Sequence, residues 1–211
     1  MHTQTMRVPG TIERRMLWLG VLLALVVTGI ATRDRLTWAM EIMWVVAGLP
    51  LVAWAWPRFP MTRLLCWLLA LHALVLIYGG YYTYAQTPLG LWVKDAFGLA
   101  RNHYDRLGHL MQGFVPAILV RELLLRTSPL QRGRWLFVLV VCACLAFSAF
   151  FEMIEWWAAL IWGGEADAFL ATQGDVWDTQ WDMFCALIGV VLSQLLLARR
   201  HDHQLGLSPR P

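Results

Sequence analysis

The chain has 211 residues, 59% of them hydrophobic and only 15% charged, with a mean hydropathy of +0.54 and 13 tryptophans. Soluble globular domains sit near about 45–50% apolar and about 25% charged, so this composition excludes a disordered chain, a secreted disulfide miniprotein and an ordinary cytosolic enzyme. The net charge of +3 is small and scattered, which argues against a nucleic-acid partner. The whole of 1–211 reads as a single integral-membrane domain with membrane lipid as its constant partner.

Arg14 and Arg15 precede the first apolar run, 16–31. A cleavable signal peptide starts similarly, and Gly29-Ile30-Ala31 would serve as its small-residue cleavage site. The apolar segments that follow favour an uncleaved first span. In chain order the expected spans are roughly 16–31, 36–56, 64–84, 107–125, 135–162 and 177–198, of the length a membrane helix needs. Their continuous apolar character, without alternation, excludes barrel strands. The predicted fold is all-α, a polytopic bundle of six transmembrane helices. Pro57, Pro60, Pro88 and Pro129 fall near span ends, where they help stop helices. Two longer connections cover 85–106 and 163–176.

Lysine and arginine set the expected orientation. With the amino terminus in the cytoplasm, the inner side holds Arg7, Arg14, Arg15, Arg58, Arg63, Arg121, Arg126, Arg132, Arg134, Arg199, Arg200 and Arg210. The outer side holds only Arg33, Arg35, Lys94, Arg101 and Arg106. The last outer loop has no Lys or Arg but carries Glu165, Asp167 and Asp175. Both termini are therefore expected in the cytoplasm of a bacterial inner membrane. Cys66, Cys142, Cys144 and Cys185 all lie in apolar stretches and read as small hydrophobes rather than as metal ligands or disulfides.

Ionisable side chains inside membrane spans are costly and mark functional sites by default. Here they concentrate in the last three spans. Asp105, His109 and Gln112 share one helical face of the fourth. Ser148, Glu152 and Glu155 repeat the same spacing in the fifth. Asp175, Asp178 and Asp182 form a third face at the start of the sixth. Alternating span directions put all three faces at one depth near the outer surface, with Glu41 a neighbour from the second span. Acids packed in a low-dielectric place need compensation by protons, arginine or metal. Histidine with several carboxylates suits a divalent cation such as Zn, Mn, Fe, Mg or Ca. His109, Glu152, Asp178 and Asp182 are the candidate ligands, with Glu155 or Asp105 the candidate general base activating water. Gln112, Ser148 and Asp175 complete the polar faces.

The bland readings compete with this one. Polar residues on inner faces hold membrane helices together, and Asp175 and Asp178 suit the start of a helix. Arg121 and Glu122, at an inner helix end, read as surface or ion-pair groups, and His72 as a packed residue. The tryptophans near span ends, with Tyr78, Tyr81, Tyr82 and Tyr84, read as interfacial anchors.

Tyr104-Asp105-Arg106-Leu107-Gly108-His109 with Gln112-Gly113 resembles the fourth-span motif of YjdF-like bacterial inner-membrane proteins. Ser148-Ala149, Glu152-x-x-Glu155-Trp156 and Gln173-Gly174-Asp175-x-Trp177-Asp178-x-x-x-Asp182-Met183 are similar to the same family. The resemblance implies location and fold and carries no established reaction. A more distant likeness is to VanZ-like membrane proteins, connected with glycopeptide-antibiotic resistance. Against that pattern, Glu155 and Asp182 stand where amides are found, which makes the present site more anionic.

Three functions follow as expectations. One is a non-catalytic binding or structural membrane module built on the acidic cluster. Another is a metal-assisted hydrolase or transferase acting on a lipid-linked or envelope substrate. The third is a proton-coupled transporter, which would need its polar pathway to continue across the membrane.

Overall fold

The structure, a computed structural model, describes residues 5–32 and 34–207. Arg33 and Arg210 of the charge count lie outside the described residues, as do the side chains of residues 165–167, which include Glu165 and Asp167. The protein is 80% helical and, among the described residues, has no strands.

Helix α1, Thr11–Ala31, is apolar on most faces, and its 21 residues reach about 31 Å at 1.5 Å per residue. The second expected span is broken into α2, Arg35–Glu41, and α3, Met43–Ala55, which meet at 45°. Asp34 starts α2 by accepting from the Thr37 N–H at 3.0 Å. The break falls at Ile42, whose φ of −91° and ψ of 1° lie outside the helical well. Helix α4, Arg63–Tyr82, is capped by the Thr62 hydroxyl, which accepts from the Leu65 N–H.

The longer connection expected over 85–106 contains a further helix, α5, Pro88–Phe97. Its boundaries follow local rules. Pro88 occupies the first turn, and Gly98 ends the helix in the left-handed region at φ 61°. Helices α6, Tyr104–Thr127, α7, Arg134–Trp162, and α9, Asp178–Gln204, follow, with a single-turn α8, Asp167–Leu170, between the last two.

Among the described residues, four helices, α1, α4, α7 and α9, are long and apolar enough to cross a membrane, and the bent α2–α3 pair, counted as one span, brings the number to five. Helix α6 is also 24 residues long, but it is the interior rod of the bundle. Eleven of its residues are buried, more than in any other helix, and Asp105, His109, Arg121 and Glu122 are among them. It packs closest on α9. A Cβ on Gly113 would lie 2.0 Å from the Ala186 carbonyl oxygen, and one on Gly189 would lie 2.0 Å from that of Leu110. Only glycine allows backbones this near, the small-residue contact by which membrane helices associate.

The chain reverses at each long connection. At one end, the Leu64 N–H donates to Gln204 Oε1 at 2.7 Å and the Arg7 N–H to the Gln204 carbonyl. This brings the starts of α1 and α4 to the end of α9. At the other end, Trp38 Nε1 donates to Thr28 Oγ1 at 3.2 Å, and Tyr104 Oη donates to the Val75 carbonyl at 2.9 Å. The first end is arginine-rich and the second acidic. All four cysteines are free; Cys144 is buried, while Cys142 faces outward as a lipid-facing hydrophobe would.

Candidate metal centre

Helical periodicity alone aligns Asp105, His109 and Gln112 on the inward face of α6, where they are 4%, 3% and 7% exposed. The close α6–α9 contact then sets Asp182, 1% exposed, against that face. The result is a group of three buried side chains, Asp105, His109 and Asp182, each offering a ligand atom within 4.8 Å of the others. Helix α7 supplies Glu152 and Ser148 from the third side, both buried. Glu152 Oε1 lies 3.7 Å from His109 Nδ1, and Glu155 follows one turn further along, half-buried.

The hydrogen bonding here is incomplete. His109 Nδ1 faces Gln112 Oε1 at 3.2 Å, and Nε2 faces Asp105 Oδ1 at 3.5 Å. An imidazole whose Nδ1–H donates to Gln112 turns its Nε2 lone pair toward a carboxylate oxygen, so a proton or cation is needed between them. Asp105 Oδ2, Asp182 Oδ1, both oxygens of Glu152 and Ser148 Oγ have no hydrogen-bond partner among the described residues. Buried acceptors are normally satisfied. A cluster of unsatisfied carboxylate oxygens around one imidazole has the donor chemistry of a divalent-cation site, mixed nitrogen and oxygen.

The expected ligands separate. Asp105, expected as a base, stands within the group of three. Asp178 is instead engaged by the Arg101 guanidinium in a buried ion pair. Arg101 also donates to the Ala171 carbonyl at 2.9 Å and approaches Asp105 Oδ2 at 3.8 Å and Asp175 Oδ2 at 3.5 Å. Asp175 lies at the rim, where Arg106 holds it at 2.5 Å while its guanidinium stacks over Trp181. The Trp177 N–H bonded to Asp175 at 3.0 Å, with Arg106 and Arg101 nearby, holds this carboxyl below the usual range. Burial, then the same two arginines, keeps the His103 imidazole low, which suits it to accept from Arg106 at 3.2 Å.

A loop clasp closes the site from above. The Asn102 N–H donates to Gln173 Oε1 at 3.0 Å, and Gln173 Nε2 donates back to the Asn102 carbonyl at 2.8 Å. Asn102 Nδ2 donates to the Ala85 carbonyl at 3.1 Å and to the Thr87 carbonyl at 3.2 Å. Ala171 and Gln173 sit at φ 50° without being glycine, strain that the Arg101 and Asn102 contacts hold in place.

Glu41, the expected neighbour from the second span, is also buried. It ends α2 beside the break, is 3% exposed, and has Oε1 unpartnered among the described residues. A carboxylate early in an apolar span was the available signal. Asn102 and Gln173 left none beyond their place in the connections. At the arginine-rich end, Arg121 and Glu122 are ion-paired but deeply buried, 2% and 0% exposed. Glu122 accepts from the Thr62 N–H at 3.1 Å, His201 Nε2 at 3.0 Å and Arg126 at 2.7 Å, while Arg121 pairs with Asp202. These groups satisfy one another, so they act as a structural tie.

Residues 14–203 match the family described as Predicted membrane protein (DUF2238). The chain is also similar to Inner membrane protein YjdF of Escherichia coli (strain K12), with 50% identity over 183 residues, 87% of this chain and 88% of that protein. No solved structure matches. The match runs from within α1 to within α9 and contains every residue of the acidic cluster, so the chain belongs to the DUF2238 family of membrane proteins.

Proposed function

We propose that this protein is a non-catalytic inner-membrane module that binds one divalent cation beneath the outer face, through Asp105, His109 and Asp182 with Glu152 as a fourth donor. The observation that carries the reading is the meeting of His109 Nε2 with Asp105 Oδ1 at 3.5 Å inside a group of carboxylate oxygens that accept no hydrogen bond among the described residues. One imidazole nitrogen among carboxylates favours Zn²⁺ or Mn²⁺ over Ca²⁺. A binding or structural role is favoured over hydrolysis because the ligating side chains are all under 9% exposed, leaving the reacting water and a lipid-linked or envelope substrate no open approach.

The reading includes six crossings in one domain, with α6 as the sixth, and both termini in the cytoplasm. The arginine-rich end supports that orientation through the bias of cytoplasmic loops toward Lys and Arg. Location in the inner membrane is supported by the similarity to YjdF.

Elemental analysis of the chain purified in detergent and loaded with Zn²⁺ or Mn²⁺ tests the cation. About one ion per chain is expected, falling below one fifth in His109→Ala and Asp182→Asn. Absence of stoichiometric metal in the wild type under both loadings would overturn the reading. Cysteine-accessibility labelling at the two ends tests the orientation separately.

A further inference from the structure

A second site lies at the opposite end of the bundle and is independent of the cation reading. Helices α1 and α3 converge at Val21 and Val45, which pack with Ile77 of α4. Toward the arginine-rich end they border an open groove of about 420 Å³, lined by Arg14, Arg15, Trp18, Leu19, Ala53 and Trp56. Pro50, inside α3 and less than one turn from Ala53, lacks the N–H that would continue the helix ladder.

The lining is divided by chemistry. Leu19 is 65% exposed on a helix apolar enough to cross a membrane, so that wall faces acyl chains. The mouth carries two adjacent cations. Arg14 lies over the Trp56 ring at 4.6 Å, and neither Arg14 nor Arg15 has a carboxylate partner among the described residues. The nearest acid in sequence, Glu13, is turned away, accepting from Arg63 Nε at 2.6 Å and Trp67 Nε1 at 2.5 Å. Two uncompensated guanidinium groups at the head of an apolar groove, flanked by two tryptophans of the interfacial type, complement a phosphate carrying hydrocarbon chains.

We propose that this groove binds one anionic phospholipid, its phosphate held by Arg14 and Arg15 and an acyl chain lying along Leu19 and Ala53. A soluble phosphate would leave the apolar wall unused. A second copy of this chain would bring the same positive charges to the mouth.

Native mass spectrometry of the full chain tests this, with detergent micelles titrated with phosphatidylglycerol or with phosphatidylethanolamine of identical acyl chains. Each arginine contributes a factor of about five to binding an anionic headgroup, so a preference of about twenty-five-fold for phosphatidylglycerol is expected. Arg14→Gln with Arg15→Gln should reduce that preference to near unity. Ala53→Trp, which fills the groove and keeps both arginines, should lose the bound lipid as well. Where the double variant is not recovered folded, Ala53→Trp and the comparison of the two lipids carry the test. Equal retention of the two lipids, release of phosphatidylglycerol by excess glycerol phosphate, or wild-type retention in the Ala53→Trp variant would overturn the proposal.

Discussion

The Arg101 guanidinium and the Asp178 carboxylate form an ion pair in which each side chain is only 8% exposed. The pair engages with arginine an acid that helical spacing had grouped with the candidate metal ligands. It also ties the segment before α6 to the first turn of α9. A buried pair of this kind contributes less by its own attraction than its disruption costs, because the surviving charge is left in a low-dielectric place.

Arg101→Gln should therefore destabilise the fold by about 3–5 kcal/mol. Adding Asp178→Asn should restore part of the loss, since the Asp178 charge is then gone and Arg106 still holds Asp175, while Asp105 keeps the loss of its arginine neighbour. Thermal unfolding in detergent across the double-mutant cycle measures both, and equal losses in the single and double variants would contradict it.

Divalent cation should stabilise the folded state by mass action. At a free concentration one hundred times its dissociation constant, the gain is about 2.7 kcal/mol. Asp182→Asn should abolish that increment, and Glu152→Gln should weaken it. Unfolding midpoints with and without chelator provide the comparison.

The contact between α6 and α9 leaves no room for a side chain at Gly113, where a Cβ would meet the Ala186 carbonyl at 2.0 Å. Gly113→Ala should cost about 3 kcal/mol by forcing the two backbones apart. Because that contact also sets Asp182 against His109, metal occupancy should fall with stability. Gly20→Ala, in α1 with nothing within 4 Å of the added atom, is the neutral control.

Glu122, with no exposed side-chain surface, is bonded to Thr62, His201 and Arg126. Glu122→Ala should destabilise by about 3–5 kcal/mol, leaving the buried Thr62 and His201 donors without their acceptor. Metal content per folded chain should not change, since this tie lies at the other end of the bundle. Loss of metal with retained stability would show that the two ends are coupled.

The rim latch has a defined pH window. The folded value of Asp175 is held below its ordinary 3.8 by the Trp177 N–H and by Arg106 and Arg101. Its contribution is therefore complete above pH 3.8 and is lost as pH falls through the lower folded value. Hydrogen exchange of residues 171–178, corrected for intrinsic rate, should stay flat from about pH 5 to 8 and rise only in stronger acid. In Asp175→Asn the faster exchange should be present at neutral pH.

Much of the architecture is written locally. Apolar runs of membrane length specify helices because hydrocarbon offers the backbone no other hydrogen-bond partner. The spacing of Asp105, His109 and Gln112 puts them on one face because helical geometry is itself local. The connections between α6, α7 and α9, one short and one long, reverse the chain, which brings three polar faces to one end. Helix α5 went unread: Pro88, expected to stop a helix, instead starts one, and Gly98 ends it, in a segment too short and too polar to be a span. The Ile42 break had no such marker: no proline or glycine stands there.

Which polar side chains touch is a different kind of information. It depends on how each rod is rotated about its own axis. The Gly113–Ala186 and Gly189–Leu110 contacts fix that rotation for α6 and α9, and they join residues some seventy or more positions apart in the chain. It depends also on the connection carrying Arg101 folding back on the one carrying Ala171 and Gln173. That folding gave Asp178 its cation and left Asp105 and Asp182 beside His109. Spacing along a helix assigns a residue to a face, but only packing between distant segments decides which acid is neutralised by arginine and which is left beside the imidazole.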